Sequence, residues 1–229
     1  MQNTSVTTFQ EATPETPAPA PAPGGLRGLV LVHGFGTALA TWVVGYIGRM
    51  PGMVNEAADG THTAIIPAEV LFGLLVLVMI VGGMRAAKRS GKLVAGVWTG
   101  LIAALLNLII ISSLAGGKNP AEPIAPEAAP WLAAFVLLGG VLGAIGGLIG
   151  VKTRNPHTAV PVDPSRHLPA FSRVTAITVL LMLGAGGLVT SARAGLAVPD
   201  WPNSEGHFMV FYPLSHMTGG KFYEHAHRL

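Results

Sequence analysis

The chain has 229 residues and no cysteine; half its residues are hydrophobic, while only 11% are charged and 7% aromatic. A soluble domain usually carries about a quarter charged residues, and a mean hydropathy of +0.54 leaves too little polar surface to face water. Disorder throughout, a disulfide scaffold, a thiolate metal site and a thiol nucleophile are excluded, and the 14 basic residues sit mostly in two short loops, a sign of membrane topology rather than of a nucleic-acid surface.

Residues 1–25 carry no apolar run and no basic start, so they are neither a secretory signal nor a transit peptide; Arg27 is the first arginine, and Glu11 and Glu15 are acidic. Alternating proline and alanine from Pro17 to Pro23 favours polyproline II, which predicts a disordered Pro/Ala-rich tail. Five apolar stretches follow, approximately Gly28 to Gly48, Ile66 to Met84, Leu93 to Leu114, Trp131 to Val151 and Val174 to Ser191. Each is about long enough to cross ~30 Å of hydrocarbon at ~1.5 Å per residue. Lipid offers the backbone no hydrogen-bond partners, so these stretches must be helical. The expected fold is an all-α integral membrane protein with five transmembrane helices and the start of a sixth. Residues 26–152 read as a four-helix unit, 153–172 as a loop, and 173–229 as a fifth helix with an outer loop.

Arg85, Lys88, Arg89 and Lys92 lie between the second and third helices, and Lys152, Arg154, Arg166 and Arg173 between the fourth and fifth. The alternate loops offer only Arg49 and Lys118. The positive-inside rule puts the amino terminus in the cytoplasm and the stretch after the fifth helix outside. Gly139, Gly143 and Gly147 recur at four-residue spacing on the fourth helix, with Gly140, Gly146 and Gly150 beside them. No strand precedes them, so the spacing predicts close helix packing rather than a dinucleotide loop. His33, Glu69 and Asn107 are polar groups at or near membrane depth, with interfacial solvation or interhelical hydrogen bonding as their plainest explanation. A proton relay through His33 and Glu69 needs a repeat symmetry that is not found.

The carboxyl-terminal quarter is the most informative. Gly186-Gly187-Leu188-Val189 closes a helix, and Gly195-Leu196-Ala197-Val198-Pro199-Asp200-Trp201-Pro202 leaves it. Two prolines force that exit to be extended or turned. A loop with His207 and His216 leads to Glu224-His225-Ala226-His227-Arg228. If a sixth helix opens at Tyr223, Glu224 and His227 share a face, His225 points away from it, and Arg228 points elsewhere, toward a lipid phosphate or a propionate. An acidic residue early in such a helix also suits its positive dipole end, so capping alone is a second explanation of Glu224.

Residues 171–229 resemble the start of haem A synthase, the membrane enzyme that oxidises haem O to haem A for cytochrome oxidase. That family shows a first helix ending in Gly-Gly-x-Val, a Gly-Leu-x-x-Pro-Asp-Trp-Pro exit, an outer loop, and Glu-x-x-His-Arg opening the next helix. The resemblance implies that His227 is an axial ligand of haem iron, that Glu224 is the acidic residue needed for the oxidation, and that Arg228 contributes to cofactor binding. It implies haem B and haem O as cofactor and substrate, haem O synthase and cytochrome oxidase assembly proteins as partners beside the lipid bilayer, and the inner membrane of a bacterium as location. Two features depart from the family. The cysteine pair that many members carry in this loop is absent, Asn203 and Ser204 following the Pro-Asp-Trp-Pro run. The chain also stops at Leu229, where the family's core continues, so it is expected to be an amino-terminal part, inactive alone, behind a four-helix extension. The alternative is a non-enzymatic polytopic assembly factor whose outer His207, His216, His225 and His227 bind copper or zinc; those spacings do not by themselves predict convergence.

Overall fold

The computed structural model describes residues 25–50, 54–56, 62–119, 122–126, 128–155 and 162–229, without the side chains of 54–56, 62–64, 118–119 and 122–123. The tail expected over residues 1–25 lies outside them, except for Gly25, which already belongs to a helix. Five helices are long and apolar enough to cross a membrane. They are α1 (Gly25–Arg49), α2 (Ala68–Ser90), α3 (Leu93–Ile111), α4 (Ala128–Lys152) and α5 (His167–Ser191). Antiparallel hairpins join β1 (Val54–Glu56) to β2 (His62–Ala64), β3 (Gly116–Asn119) to β4 (Glu122–Ile124), and β5 (Asn203–Ser204) to β6 (His207–Phe208). A short helix, α6 (Gly219–Arg228), ends the chain.

Two boundaries differ from expectation. Helix α5 opens at His167 rather than Val174, so the end of the loop placed at 153–172 is helical and Arg173 lies within the helix. The Asp163 carboxylate starts this turn by accepting from the Ser165 amide at 2.9 Å and from its hydroxyl at 2.7 Å. Pro164 leads a 3-10 turn that runs into α5, where Pro169 falls in the first turn and removes no helical hydrogen bond. Helix α6 opens at Gly219 rather than Tyr223 and has ten residues, too few to span a bilayer.

Helices α1 to α4 pack as one bundle through their smallest residues. A Cβ placed on Gly83 of α2 or on Gly96 of α3 would stand 2.5 Å from the Gly143 carbonyl oxygen of α4. Neighbouring backbones therefore touch where a side chain would hold them apart. With no hydrophobic drive between helices in lipid, such contact supplies the dispersion that holds them. The residues sealed inside are correspondingly small: Ala86, Ala95, Thr99, Ala103 and Ala104. Gly91, left-handed at φ 72°, ends α2 by donating its N–H to Ala87 O at 2.7 Å, which permits the tight link to α3.

Helix α5 stands beside this bundle. Of its residues only Ala185 and Val189 are buried, and the Phe35 and Phe171 rings meet edge to face at 5.2 Å where it touches α1. Residues 192–229 then fold back as a cap over the end of the bundle opposite the basic loops, with the Phe222 ring 5.2 Å from Tyr46 of α1.

Candidate functional site

The cap is built on the proline-flanked exit from α5. Val198 is fully buried, and beyond Pro199 the Asp200 carboxylate accepts hydrogen bonds from the Glu205 and Gly206 amides, each at 2.7 Å. Those two residues, at φ 50° and 80°, form the two-residue turn between β5 and β6. The Gly206 and Glu205 N–H groups hold the Asp200 carboxyl below the usual carboxylate range. Glu205 is an uncommon non-glycine in this conformation. Its carboxylate pairs with Lys221 and accepts from the Tyr212 hydroxyl at 2.7 Å, and these bonds, Lys221 first, lower its pKa. Tyr212 is completely buried, and burial together with the Glu205 bond raises its phenol pKa.

The predicted residues of α6 meet this turn directly. Glu224, 5% exposed, accepts from the Val198 amide at 2.7 Å through one oxygen and pairs with Arg228 through the other. Arg228 donates to the Asp200 carbonyl at 2.8 Å and to the Val198 carbonyl as well. Arg228 was expected to point away from Glu224; it is instead turned onto it at the i, i+4 spacing. The capping explanation of Glu224 is corrected too, because α6 opens five residues before it and its first turn holds no acid. What Glu224 holds is the backbone of the Pro-Asp-Trp-Pro turn.

His227 lies on the other side, against α5. A Cβ on Gly186 would stand 2.9 Å from its Cε1 and 3.1 Å from its Nε2, so only glycine admits the ring there. Its Nδ1 is buried without a hydrogen-bond partner among the described residues. Gly184 and Gly187 leave open space on α5 nearby. The imidazole is thus half-buried against α5 at Gly186. The Arg228 donors are committed to Glu224 and the turn.

The remaining histidines gather around Tyr212. His225 is fully buried, shares a 3.0 Å hydrogen bond between its Nδ1 and Ser204 Oγ, and has its ring centroid 4.8 Å from that of Tyr212. Burial, with a smaller contribution from Arg228, lowers its pKa to about 4. His207 and His216 stand 5.8 Å apart, each under 6 Å from Tyr212. Among the described residues, no three His, Cys, Asp or Glu side chains come close enough together to hold an ion.

Of the bundle's polar groups, Asn107 is buried and donates to Thr41 Oγ1 of α1 and to Ala103 O, both at 2.8 Å. Glu69 is exposed in the first turn of α2. His33 lies toward the other end, because Gly48 of α1 meets Leu71 while Thr37 meets Gly82. The two residues do not form a pair.

Two cavities lie between the cap and the bundle. The larger, about 770 Å³, runs among α1 to α4 beneath Phe222, Ala226 and Leu229. The smaller, about 270 Å³, lies among α1, α3 and α5 and is bordered by His227. Trp42, Asn107, Ile110, Ala226 and Leu229 line both. The cavities, the histidine ring around Tyr212 and the Asp200 clamp escaped the sequence reading. Only the clamp had a local signal, an aspartate followed at five and six residues by Glu-Gly. Comparison with protein-family models, with curated proteins and with solved structures finds no match to this chain.

Proposed function

We propose that residues 173–229 are the opening part of a haem A synthase-like membrane oxidoreductase that converts haem O to haem A. The observation that carries this reading is the closure of three separate motif pieces into one unit. Glu224 and Arg228 grip the Val198–Asp200 backbone, and His227 rests on Gly186. Motif pieces that matched by accident would have no reason to contact one another through the very residues that define them. In this reading His227 would hold the haem iron, and Glu224 and Arg228 would keep the proline turn in place as the outer wall of the site. The haem supplies the oxidising chemistry when bound, its potential tuned by axial ligand and surroundings. A buried carboxylate at such an edge stabilises positive charge developing on a substrate carbon or accepts a proton. In this reading the basic loops and the amino terminus face the cytoplasm of a bacterium, and the cap lies on the outer side of its inner membrane. Haem O synthase and cytochrome oxidase assembly proteins are the partners this reading brings with it.

The test is haem analysis of cells that express the intact gene to which this chain belongs. Glu224→Ala should abolish haem A while haem O still binds, and His227→Ala should remove the Soret band of the purified protein. Unchanged haem A in the first variant would leave Glu224 a purely structural role. The metal-loop alternative draws on the His207 and His216 rings, 5.8 Å apart; stoichiometric copper binding with no Soret band would favour it.

A further inference from the structure

The larger cavity lies where α2 and α4 part. Toward the basic loops, Gly146 and Gly150 of α4 press on the Ile80 and Met84 carbonyls of α2. Toward the cap the two helices carry bulky residues instead, Leu75 and Val76 on one and Phe135 and Leu138 on the other, and the cavity of about 770 Å³ occupies the gap. Its size falls in the range of about 300–1,000 Å³ typical of small-molecule sites. Phe72 and Trp131 stand on its walls and are 60% and 71% exposed, so it opens sideways onto the lipid-facing surface of the bundle.

Its free donors are gathered at one end. Helices α1 and α3 run in the same direction, Gly34 meeting Ile102 and Thr41 meeting Asn107. Tyr46 and Ser113, five and six residues further along, therefore share a level about 8 Å nearer the cap. Both line the cavity, and both hydroxyls are buried without a hydrogen-bond partner among the described residues, Ser113 being 4% exposed. A buried hydroxyl left unpaired is costly. Arg49, three residues after Tyr46 on the same face of α1, is the one charged residue on the wall and makes no ion pair among the described residues. Asn107, deeper down, already uses its amide N–H groups on Thr41 and Ala103. Below it, toward Met79 and Leu142, the wall is apolar.

We propose that this cavity binds a phospholipid of the leaflet on the cap side, one whose head carries a phosphate and no ammonium. The phosphate takes the Arg49 guanidinium and the Tyr46 and Ser113 hydroxyls, and an acyl chain runs down between α2 and α4. Arginine offers phosphate oxygens two parallel N–H donors, and a phosphodiester, being an acceptor only, needs donors from every group it meets. With no carboxylate on the wall among the described residues, an ammonium head would meet only a like charge. From Ser113 down to Gly139, where an added Cβ would meet Ala104 of α3, the chain has about 14 Å of depth. The sideways opening admits a molecule already dissolved in the bilayer. This lipid site does not depend on the haem reading and gives α1 to α4 an occupant of their own.

The test follows Trp42, which lines the cavity, in the whole chain carrying Trp98→Phe, Trp131→Phe and Trp201→Phe; those three indoles are exposed and would report bulk lipid. The protein is placed in phosphatidylcholine nanodiscs doped with phosphatidylglycerol or phosphatidylcholine brominated on the acyl chains, which quenches any tryptophan it touches. Brominated phosphatidylglycerol should half-quench Trp42 at a mole fraction about tenfold lower than brominated phosphatidylcholine, the order expected from one charge-assisted contact. Arg49→Gln should erase that preference and Arg49→Lys should keep part of it. Tyr46→Phe with Ser113→Ala should weaken it by roughly a few-fold, each variant still eluting as a single species. Equal quenching by the two lipids, indifferent to Arg49→Gln, would overturn the headgroup site and leave a gap filled by any acyl chain. Quenching by brominated stearate with none by either phospholipid would overturn the phospholipid in favour of a fatty acid. No quenching of Trp42 by any of the three would overturn the cavity as a lipid site.

Discussion

Helices α4 and α5 are both glycine-rich spans, yet one is sealed by its neighbours and the other stands open. On α4, Gly143, Gly146 and Gly150 press backbone to backbone on α2 and α3, so that an added Cβ collides. On α5, added methyls at Gly184 and Gly187 meet nothing within 4 Å, and Leu180 and Leu183 are 67% exposed. A glycine in a membrane helix is therefore a place where something else can come close, and its sequence does not say what. On α4 that something is a helix of the same bundle; on α5 at Gly186 it is the imidazole of His227.

The largest expected effect tests this contrast directly. Gly143→Leu drives a side chain into the backbones of Gly96 and Gly100, and overpacking costs about 1–3 kcal/mol even where side chains can yield. The monodisperse peak in fluorescence-detected gel filtration should be lost. Gly187→Leu should stay within ~0.5 kcal/mol of the parent in thermal melting, as exposed substitutions do. Equal sensitivity of the two positions would break the comparison.

A smaller effect sharpens it on the α5 side. Glu224→Ala strands the buried Val198 amide and frees Arg228, costing about 1–3 kcal/mol. Hydrogen exchange at Val198 should accelerate while amides of α2 to α4 stay protected. Glu224→Gln, which still accepts from Val198, should lie between the two.

The mildest perturbation is pH, which should act on the cap and spare the bundle. His225 is held neutral, with its pKa lowered to about 4. The unfolded chain takes up that proton from about pH 6.5 downward, so cap stability declines from there until the folded ring protonates as well. Asp200 and Glu205 have folded pKa values below their unfolded ones, so their contributions are intact above the unfolded values and vanish as pH falls through the folded ones. All three groups weaken the cap in acid. Faster exchange at the Glu205 and Gly206 amides and a shift in Trp201 fluorescence should report it, while the Thr41–Asn107 contact, which does not titrate, stays unchanged.

Much of the fold was legible from the residues. Hydropathy marked five spans to within a few residues at most ends, because a bilayer demands apolar length whatever the partners. The α5 start was missed because Asp163-Pro164-Ser165 and the polar residues to Arg173 form a helix outside the apolar window. Of the site, the motif residues were visible but their directions were not. Arg228 lies one turn beyond Glu224 wherever the helix opens, and its i, i+4 pairing was masked by the expected outward contact; a capping role for Glu224 requires an opening at Tyr223, and α6 opens at Gly219.

Composition and charge by themselves determined that this chain has five apolar helices long enough to cross a membrane and which loops carry its positive charge. Both depend on transfer free energies that add residue by residue. Only the tertiary structure decided that Glu224 and Arg228 clamp the Val198–Asp200 turn, that His227 lies on Gly186, and that Asn107 faces a large apolar cavity. Those are contacts between residues far apart in the chain, set by how closely small residues let helices approach.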